Sequence, residues 1–205
     1  MAPRCCSGCE RPDAEALCSE CVERLQSQPP PVPASLGGVR AHVAFLFAGP
    51  AREAIHAAKF GGRPRAMALL AALAAERLAP QLALAAPDPD AVVPVPLSRR
   101  RAAERGYNQA LIAARAIAAV PCGGPVVDGL VRLRHTSTQV GRGSAERRAN
   151  LAGAFTWSGS PPRPGGLVWL VDDVLTTGAT LGAAADALQR AGFGRIEFVA
   201  VGCAP

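Results

Sequence analysis

Aromatic residues are scarce in this 205-residue chain, at 4% of the sequence. Alanine, leucine and valine are abundant instead, so we expect an aliphatic core built from alternating strands and helices. The sequence shows no aromatic signature of a purine or pyrimidine pocket, and the shortage argues against base stacking as the main activity. The overall composition, 49% apolar and 19% charged, is typical of one globular domain with a small appendage.

Long apolar runs are also lacking. The longest, Ala66 to Ala75, is about half of the ~20 residues that a membrane-spanning helix requires. The N-terminal sequence MAPRCCSGCERP has no apolar stretch of the kind found in signal peptides. We therefore expect no membrane span and a cytoplasmic location. Cysteines in a reducing cytosol are expected to stay reduced, so their spacing should be tested against metal binding.

Two C-x-x-C pairs lie within the first 21 residues. Their spacing, C-x2-C-x8-C-x2-C, can place four thiolates around a zinc ion, and such a site would be structural because no position is left open for chemistry. The gap between the pairs is short, which favours a small knuckle over a full zinc ribbon. Cys5 could replace the first ligand, and reduced cysteines in a disordered tail are the alternative. The predicted ligands are Cys6, Cys9, Cys18 and Cys21.

A proline-rich stretch separates these cysteines from the rest of the chain. We divide the sequence into a zinc-binding knuckle over residues 1–28, a linker over 29–40 and a larger domain over 41–205. In that domain, the predicted strands are His42–Phe47, Ala91–Pro96, Leu167–Val171 and Arg195–Val201, with short pieces at Gly129–Leu133 and Ala154–Trp157. The predicted helices are Ala51–Lys59, Pro64–Leu78, Tyr107–Ala119 and Ala179–Ala191. The last strand–helix–strand unit implies a parallel sheet.

The segment Val168 to Thr180, VWLVDDVLTTGAT, combines an acidic pair with a polar turn. Asp172 and Asp173 follow a buried strand, at the edge of the sheet where α/β proteins bind ligands. The turn that follows has hydroxyls, a glycine and the free amides of a helix start, which suit a phosphate. Carboxylates can hold sugar hydroxyls or Mg²⁺, so a sugar phosphate would satisfy both parts. The alternative is an ordinary helix cap.

The net charge of +6 comes mainly from arginines that cluster in two places. One cluster follows the proline-bounded turn at Pro94 and Pro96, and the other lies in the Arg/Gly-rich stretch Arg132 to Asn150. Guanidinium groups suit phosphate oxygens, so an anionic partner is favoured. A solvated basic face is the alternative.

Several segments together resemble the ComF/GntX family over nearly the whole chain. They are the cysteine pairs, FAGPAREAIHAAKFGGR (Phe47–Arg63), PVPLSRRRAAERGYNQA (Pro94–Ala110), RHTSTQVGRGSAERRANLAGAF (Arg134–Phe155) and LVDDVLTTGATL (Leu170–Leu181). The last is similar to the motif with which type I phosphoribosyltransferases bind 5-phosphoribosyl pyrophosphate (PRPP). One departure is Phe47, where the family usually has tyrosine, which puts only a phenolic hydroxyl in doubt.

The resemblance implies an α/β type I phosphoribosyltransferase fold, a parallel sheet flanked by helices, that binds PRPP with Mg²⁺. It makes Asp172 and Asp173 the catalytic pair, in contact with the ribose hydroxyls, and assigns the 5-phosphate to Thr176, Thr177, Gly178, Ala179 and Thr180. The pyrophosphate would contact Ser98, Arg99, Arg100, Arg105 and Asn108. A flexible loop closing over the substrates would contribute Arg134, Thr136, Gln139, Arg147 and Asn150.

Three functions are compatible with this sequence. The first is an enzyme that transfers a phosphoribosyl group to an unknown nitrogen acceptor, or did so ancestrally. The second is an accessory protein of natural competence that handles single-stranded DNA, with the knuckle and the arginines following phosphates. The third is a non-catalytic sensor of PRPP or a nucleotide. Homo-oligomers are compatible with all three.

Overall fold

A five-stranded sheet forms the centre of the protein. The computed structural model describes residues 5–12, 16–31, 34–85, 88–133, 151, 153–159 and 163–204. Its strands are β1 (Ala34–Leu36), β2 (Val39–Leu46), β3 (Ala91–Pro94), β4 (Leu130–Arg132), β5 (Phe155–Trp157), β6 (Leu167–Leu175) and β7 (Arg195–Cys203). The sheet order is β1-β2-β7-β6-β3, antiparallel between β1 and β2 and parallel elsewhere. β4 and β5 form a separate antiparallel pair.

Helices cover both faces of this sheet. The helices in the described part of the chain are α1 (Ser19–Ser27), α2 (Gly49–Phe60), α3 (Pro64–Ala85), α4 (Arg99–Arg105), α5 (Gln109–Ala118) and α6 (Ala179–Arg190). Successive side chains of β6 face opposite cores, since Trp169 packs with α2, α3 and α5, whereas Leu170 packs with α6 and β5. The predicted α/β class, a parallel sheet flanked by helices, is confirmed.

Element boundaries differ from the predictions in three instructive places. β6 continues through both aspartates to Leu175 instead of ending at Val171, because its ladder with β7 pairs Asp172 with Ala200 and Leu175 with Cys203. The second half of the predicted linker belongs to the sheet, as the β1–β2 hairpin. Helix α4 was not predicted. It begins at a serine cap and ends at Gly106, whose φ of 75° suits a left-handed C-cap.

Helix α3 is long and apolar enough to cross a membrane by length and composition, with a mean hydropathy of 1.3 over its best window. It also supplies eight buried residues to the core between α2, α5 and β2. A core helix of a soluble protein passes the same test of length and composition, so this helix is weak evidence for a membrane span.

Candidate functional site

A cleft of about 320 Å³ opens at the carboxyl edge of the sheet. This is the edge where parallel α/β sheets bind ligands, since the loops after the strands converge there. Its charged and hydroxyl-bearing lining residues are Lys59, Arg101, Arg105, Arg132, Asp172, Asp173, Thr176 and Thr180. A larger cavity of about 620 Å³ lies near the start of β7, at the opposite edge, and contains none of the predicted site residues.

The acidic pair forms one wall of this cleft. The backbone N–H of Asp173 donates a hydrogen bond of 2.8 Å to the Asp172 carboxylate. Removal from water, together with the neighbouring Asp173 charge, raises the pKa of Asp172 to about 7. A cation bound between the two carboxyl groups, or the hydroxyls of a diol donating to them, would favour the charged form of Asp172.

Lys59 supplies the counter-charge. Its Nζ donates to Asp173 Oδ1 at 2.8 Å, and both side chains are largely buried, at 21% and 11% exposure. Sequence reasoning did not identify this residue as part of the site. The sequence did carry a sign that Lys59 is special, because it is the only lysine among the 22 lysine and arginine residues. It reaches the cleft from the last turn of α2.

The residues of the polar turn after β6 line two different cavities. Thr176 and Thr180 line the cleft, whereas Thr177, Gly178 and Ala179 line a neighbouring cavity of about 370 Å³ beside the β1–β2 hairpin. Gly178 has a φ of 71° and directly precedes α6. The left-handed backbone favours glycine, and a Cβ there would lie 3.0 Å from Leu36 Cδ1, so the leucine side chain would have to shift. The helix start thus provides free amides beside the acidic pair.

The predicted pyrophosphate set is only partly at the cleft. Arg105 and Asn108 line it, together with Arg101, which was not assigned a role. Arg99 and Arg100 do not line it. Both are exposed, and Arg100 Nε pairs with Glu104 at 2.6 Å. The pyrophosphate assignment itself stays a prediction.

Ser98 and Asn108 organise the backbone around these arginines. The Ser98 hydroxyl caps α4 by accepting from the Arg101 N–H at 3.4 Å. Asn108 caps α5 by accepting from the Ala110 N–H at 3.1 Å, and its Nδ2 donates to the Val95 carbonyl at 3.1 Å. These contacts fix the segment between β3 and α5, and with it the direction of the arginines.

Three arginines, Arg101, Arg105 and Arg132, line the same cleft as the acidic pair. Removal from water and the Arg101 charge lower the pKa of both Arg105 and Arg132. An anion placed between these guanidinium groups would relieve their repulsion. The predicted loop contacts Arg134, Thr136, Gln139, Arg147 and Asn150 lie outside the described residues.

The four predicted zinc ligands converge at the N-terminus. The Sγ atoms of Cys6, Cys9, Cys18 and Cys21 all lie within 4.8 Å of one another, and Cys9 and Cys18 are 3.6 Å apart. A zinc ion with four sulfur ligands at about 2.3 Å needs Sγ atoms roughly 3.8 Å apart. Burial alone would raise the pKa of Cys6, but hydrogen bonds from the Cys18 and Gly8 N–H groups lower it to about 6. The cluster therefore fits a structural Zn²⁺.

Neighbouring residues decide between Cys5 and Cys6 as the first ligand. Cys5 Sγ accepts a hydrogen bond of 3.0 Å from Arg63, and it is not part of the cluster, whereas Cys6 is.

The knuckle is packed closely around its glycine and held to the larger domain. A Cβ on Gly8 would lie 3.0 Å from Cys21 Sγ, so glycine allows the two cysteine pairs to approach each other. Arg77 of α3 donates to the Leu25 carbonyl at 2.8 Å and ties α1 to the larger domain.

Seven curated proteins match this sequence, and they carry two names. Competence protein F of Haemophilus influenzae is 38% identical over 113 residues, which are 53% of this chain and 48% of that protein. DNA utilization protein YhgH of Salmonella typhi is 33% identical over 70% of this chain and 63% of its own length. The chain thus spans about half to two thirds of these two relatives. YhgH of Escherichia coli is 30% identical over 199 residues, 96% of this chain and 81% of that protein.

No protein-family model matches the chain. Among solved structures, a purine phosphoribosyltransferase from Pyrococcus horikoshii aligns with 60% of this chain and 66% of its own. The identity is 17% and the TM-score 0.36, which is too low to establish a common fold.

Proposed function

Since this chain belongs to the ComF/GntX family, we propose that it is a phosphoribosyltransferase-like protein. It would bind PRPP with Mg²⁺ in the Asp172/Asp173 cleft. Its reaction would transfer the phosphoribosyl group to a nitrogen acceptor. The observation that carries this proposal is the meeting, in one cleft, of the carboxylate pair, three arginines, and Thr176 and Thr180 from the turn that opens α6.

Each part of the cleft matches one part of PRPP. The carboxylates can accept hydrogen bonds from the vicinal ribose hydroxyls, and the turn from Thr176 to Thr180, which borders both the cleft and the neighbouring cavity, can receive the 5-phosphate on free amides. Arg101, Arg105 and Arg132 can receive the pyrophosphate. Mg²⁺ would neutralise phosphate charge, with the carboxylates as the oxygen ligands that it prefers.

Transfer requires little covalent help from the protein. The acceptor nitrogen forms a bond to the anomeric carbon as the bond from that carbon to pyrophosphate breaks. Pyrophosphate leaves with the electron pair, and the acceptor nitrogen releases its proton to water. The cleft residues would act by positioning PRPP and by stabilising charge on the leaving pyrophosphate.

Calorimetric titration of PRPP with and without Mg²⁺ tests the proposal. Wild-type protein should bind in a magnesium-dependent manner, and Asp172→Asn/Asp173→Asn should bind at least about 100-fold more weakly, since two charge-assisted hydrogen bonds are lost. The matched control is Asp88→Asn/Asp128→Asn, which makes the same two substitutions at exposed residues away from the cleft. Equal affinities of the two double variants would contradict the proposal.

The relatives' names favour a second function, in the utilization of DNA. Exposed arginines such as Arg99 and Arg100 offer phosphate contacts for single-stranded DNA. Binding of a single-stranded oligonucleotide that weakens steeply with salt, and weakens further in Arg99→Ala/Arg100→Ala, would support this function. Magnesium-dependent PRPP binding without pyrophosphate release, over a panel of acceptors, would instead support the non-catalytic sensor.

A further inference from the structure

Arg63 lies in the turn between α2 and α3 and joins this turn to the knuckle. Its Nη1 donates to the Cys5 carbonyl at 3.1 Å, and its Nη2 donates to Cys5 Sγ at 3.0 Å. Cys5 stands outside the four-sulfur cluster, but it directly precedes Cys6, which belongs to that cluster. A planar guanidinium that makes two bonds fixes an orientation better than a single hydrogen bond does. Arg63 therefore fastens the turn to the knuckle.

The knuckle is itself held against the start of α2. Cys21 of α1 belongs to the same buried core as Ala51 and Ile55 of α2. A Cβ on Gly8 would lie 3.2 Å from the Pro50 Cβ, so the backbone of the knuckle closely approaches the first turn of α2. The knuckle thus supports α2 at its start and, through Arg63, just beyond its end.

The last turn of α2 connects this support to the cleft. The N–H groups of Arg63 and Gly61 both donate to the Ala57 carbonyl, at 3.2 and 2.9 Å, so the turn is bonded to the end of the helix. Two residues after that carbonyl, Lys59 Nζ donates to Asp173 Oδ1 at 2.8 Å. A continuous path of hydrogen bonds and helix backbone therefore runs from the knuckle through Arg63 to the acidic pair.

We propose that Arg63 is a positioning residue, which uses the knuckle as a fixed support to hold Lys59 in the PRPP cleft. Arg63 does not line the cleft, so it acts through the last turn of α2 and not on the ligand itself. A lysine that is already held beside Asp173 loses less conformational entropy when a ligand binds, and it keeps the carboxylate oriented. The knuckle thereby contributes to PRPP binding as well as to stability. This inference rests on the proposed function only where it concerns PRPP, because the Lys59–Asp173 contact exists without a ligand.

Arg63→Met tests this role in calorimetric titrations of PRPP with Mg²⁺. The variant should keep its zinc, since it leaves the four-sulfur cluster intact. It should bind PRPP about five- to tenfold more weakly, which is the effect of about one hydrogen bond. Cys5→Ala removes one of the two bonds and should have a smaller effect in the same direction. Arg65→Met is the matched control, because it removes the same charge at an exposed position two residues away, and it should change PRPP affinity by less than about twofold.

Double-mutant cycles show whether Arg63 acts through Lys59. PRPP affinity should fall no further when Arg63→Met is added to Lys59→Met, because the lysine that Arg63 positions is already absent. Without PRPP, denaturant unfolding of Lys59→Met, Asp173→Asn and the double variant measures the coupling between these two side chains. That coupling should be at least about halved when the same cycle is repeated in the Arg63→Met background.

The outcomes separate this inference from the proposed function. If wild-type protein and zinc-loaded Arg63→Met bind PRPP equally well, or if the effects of Arg63→Met and Lys59→Met are additive, the inference is overturned and the proposed function stands. If wild-type protein does not bind PRPP, the proposed function fails and the unfolding cycle decides alone. A reduced Lys59–Asp173 coupling then supports the positioning role, and an unchanged coupling overturns it. Should Arg63→Met lose its zinc, the zinc-loaded Cys5→Ala variant takes its place in both comparisons.

Discussion

The four-cysteine knuckle and the Asp172/Asp173 cleft concentrate reactive groups in opposite ways. In the knuckle, four cysteine sulfur atoms face one another and backbone N–H groups donate to one of them, and four sulfur ligands would fill the coordination shell of a zinc ion. The cleft instead holds two carboxyl groups, three arginines and a lysine that is paired with Asp173, with a carboxyl pKa near 7 and a buried amide that has no partner among the described residues. A closed centre stabilises a fold, whereas an open one is suited to binding and chemistry.

Loss of the knuckle should have the largest effect. Cys21 is 1% exposed and belongs to the same core as Leu25, Ile55 and Leu70. Cys21→Ser should abolish zinc binding and lower the melting temperature by on the order of 10 °C, because folding of this region is coupled to the metal. Zinc content and thermal unfolding measure this. Cys5→Ser is the control and should keep its zinc, whereas zinc loss in that variant would reverse the assignment of the first ligand to Cys6.

The Lys59–Asp173 pair gives the next largest effect. Lys59→Met leaves a mostly buried carboxylate without its cation beside a second carboxyl group, so we expect about 1–3 kcal/mol of destabilisation in thermal or denaturant unfolding. Arg52→Met, which breaks an exposed pair on the same helix, should change stability by less than about 0.5 kcal/mol. Adding Asp173→Asn to Lys59→Met should recover part of the loss. Equal effects of the two methionine variants would mean that the pair is no more important than a surface contact.

The raised pKa of Asp172 predicts a pH-dependent stability. Its folded-state pKa of about 7 lies above the ordinary value of 3.8, so the folded protein binds more protons between these values. Ionisation therefore costs stability as the pH rises through this window, and Asp172→Asn removes that cost. The variant's melting temperature should exceed the wild-type value by a few degrees at about pH 8 and by little at about pH 4. A constant difference across this range, as expected for the exposed Asp128→Asn, would contradict the raised pKa.

The turn glycine gives a more local test. Gly178→Ala places a Cβ at a φ of 71° and 3.0 Å from Leu36, with an expected cost of about 1–2 kcal/mol and weaker PRPP binding. Gly182→Ala lies one turn further along α6, where a Cβ meets nothing within 4 Å, and should be neutral or slightly stabilising. Unfolding measurements and PRPP titrations of Gly178→Ala and Gly182→Ala, compared with each other, give the contribution of the turn to stability and to PRPP binding. Unchanged PRPP affinity in Gly178→Ala would argue against its role in phosphate binding.

The sequence was most informative where the reactive residues and the element that positions them lie in one short segment of the chain. The cysteine spacing predicted a metal cluster, and the apolar run before Asp172 predicted a strand that delivers carboxylates to an edge of the sheet. Both depend on residues close together in the chain. The length of β6 was underestimated because its final residues are held by pairing with β7, which is a long-range contact.

Residues brought together by the fold were missed. Arg101 and Arg105 are four residues apart and share a face of α4. Arg105 was predicted, but Arg101 was missed and Arg99 and Arg100 were assigned, because the start of this helix was not predicted. Lys59 and Gln109 come from two further helices. The scarcity of aromatic residues hid a local concentration of rings, because Phe47, His56 and Phe60 meet only once β2 and α2 are placed.

Hydrogen–deuterium exchange with and without PRPP and Mg²⁺ tests the contrast between the two regions most directly. Our account predicts slower exchange in peptides covering residues 98–109 and 172–181, and unchanged exchange in peptides covering residues 5–12 and 16–25. The protection should be absent in Asp172→Asn/Asp173→Asn. Protection confined to the knuckle, or no protection anywhere in a folded, zinc-loaded protein, would contradict the assignment of the cleft as the PRPP site.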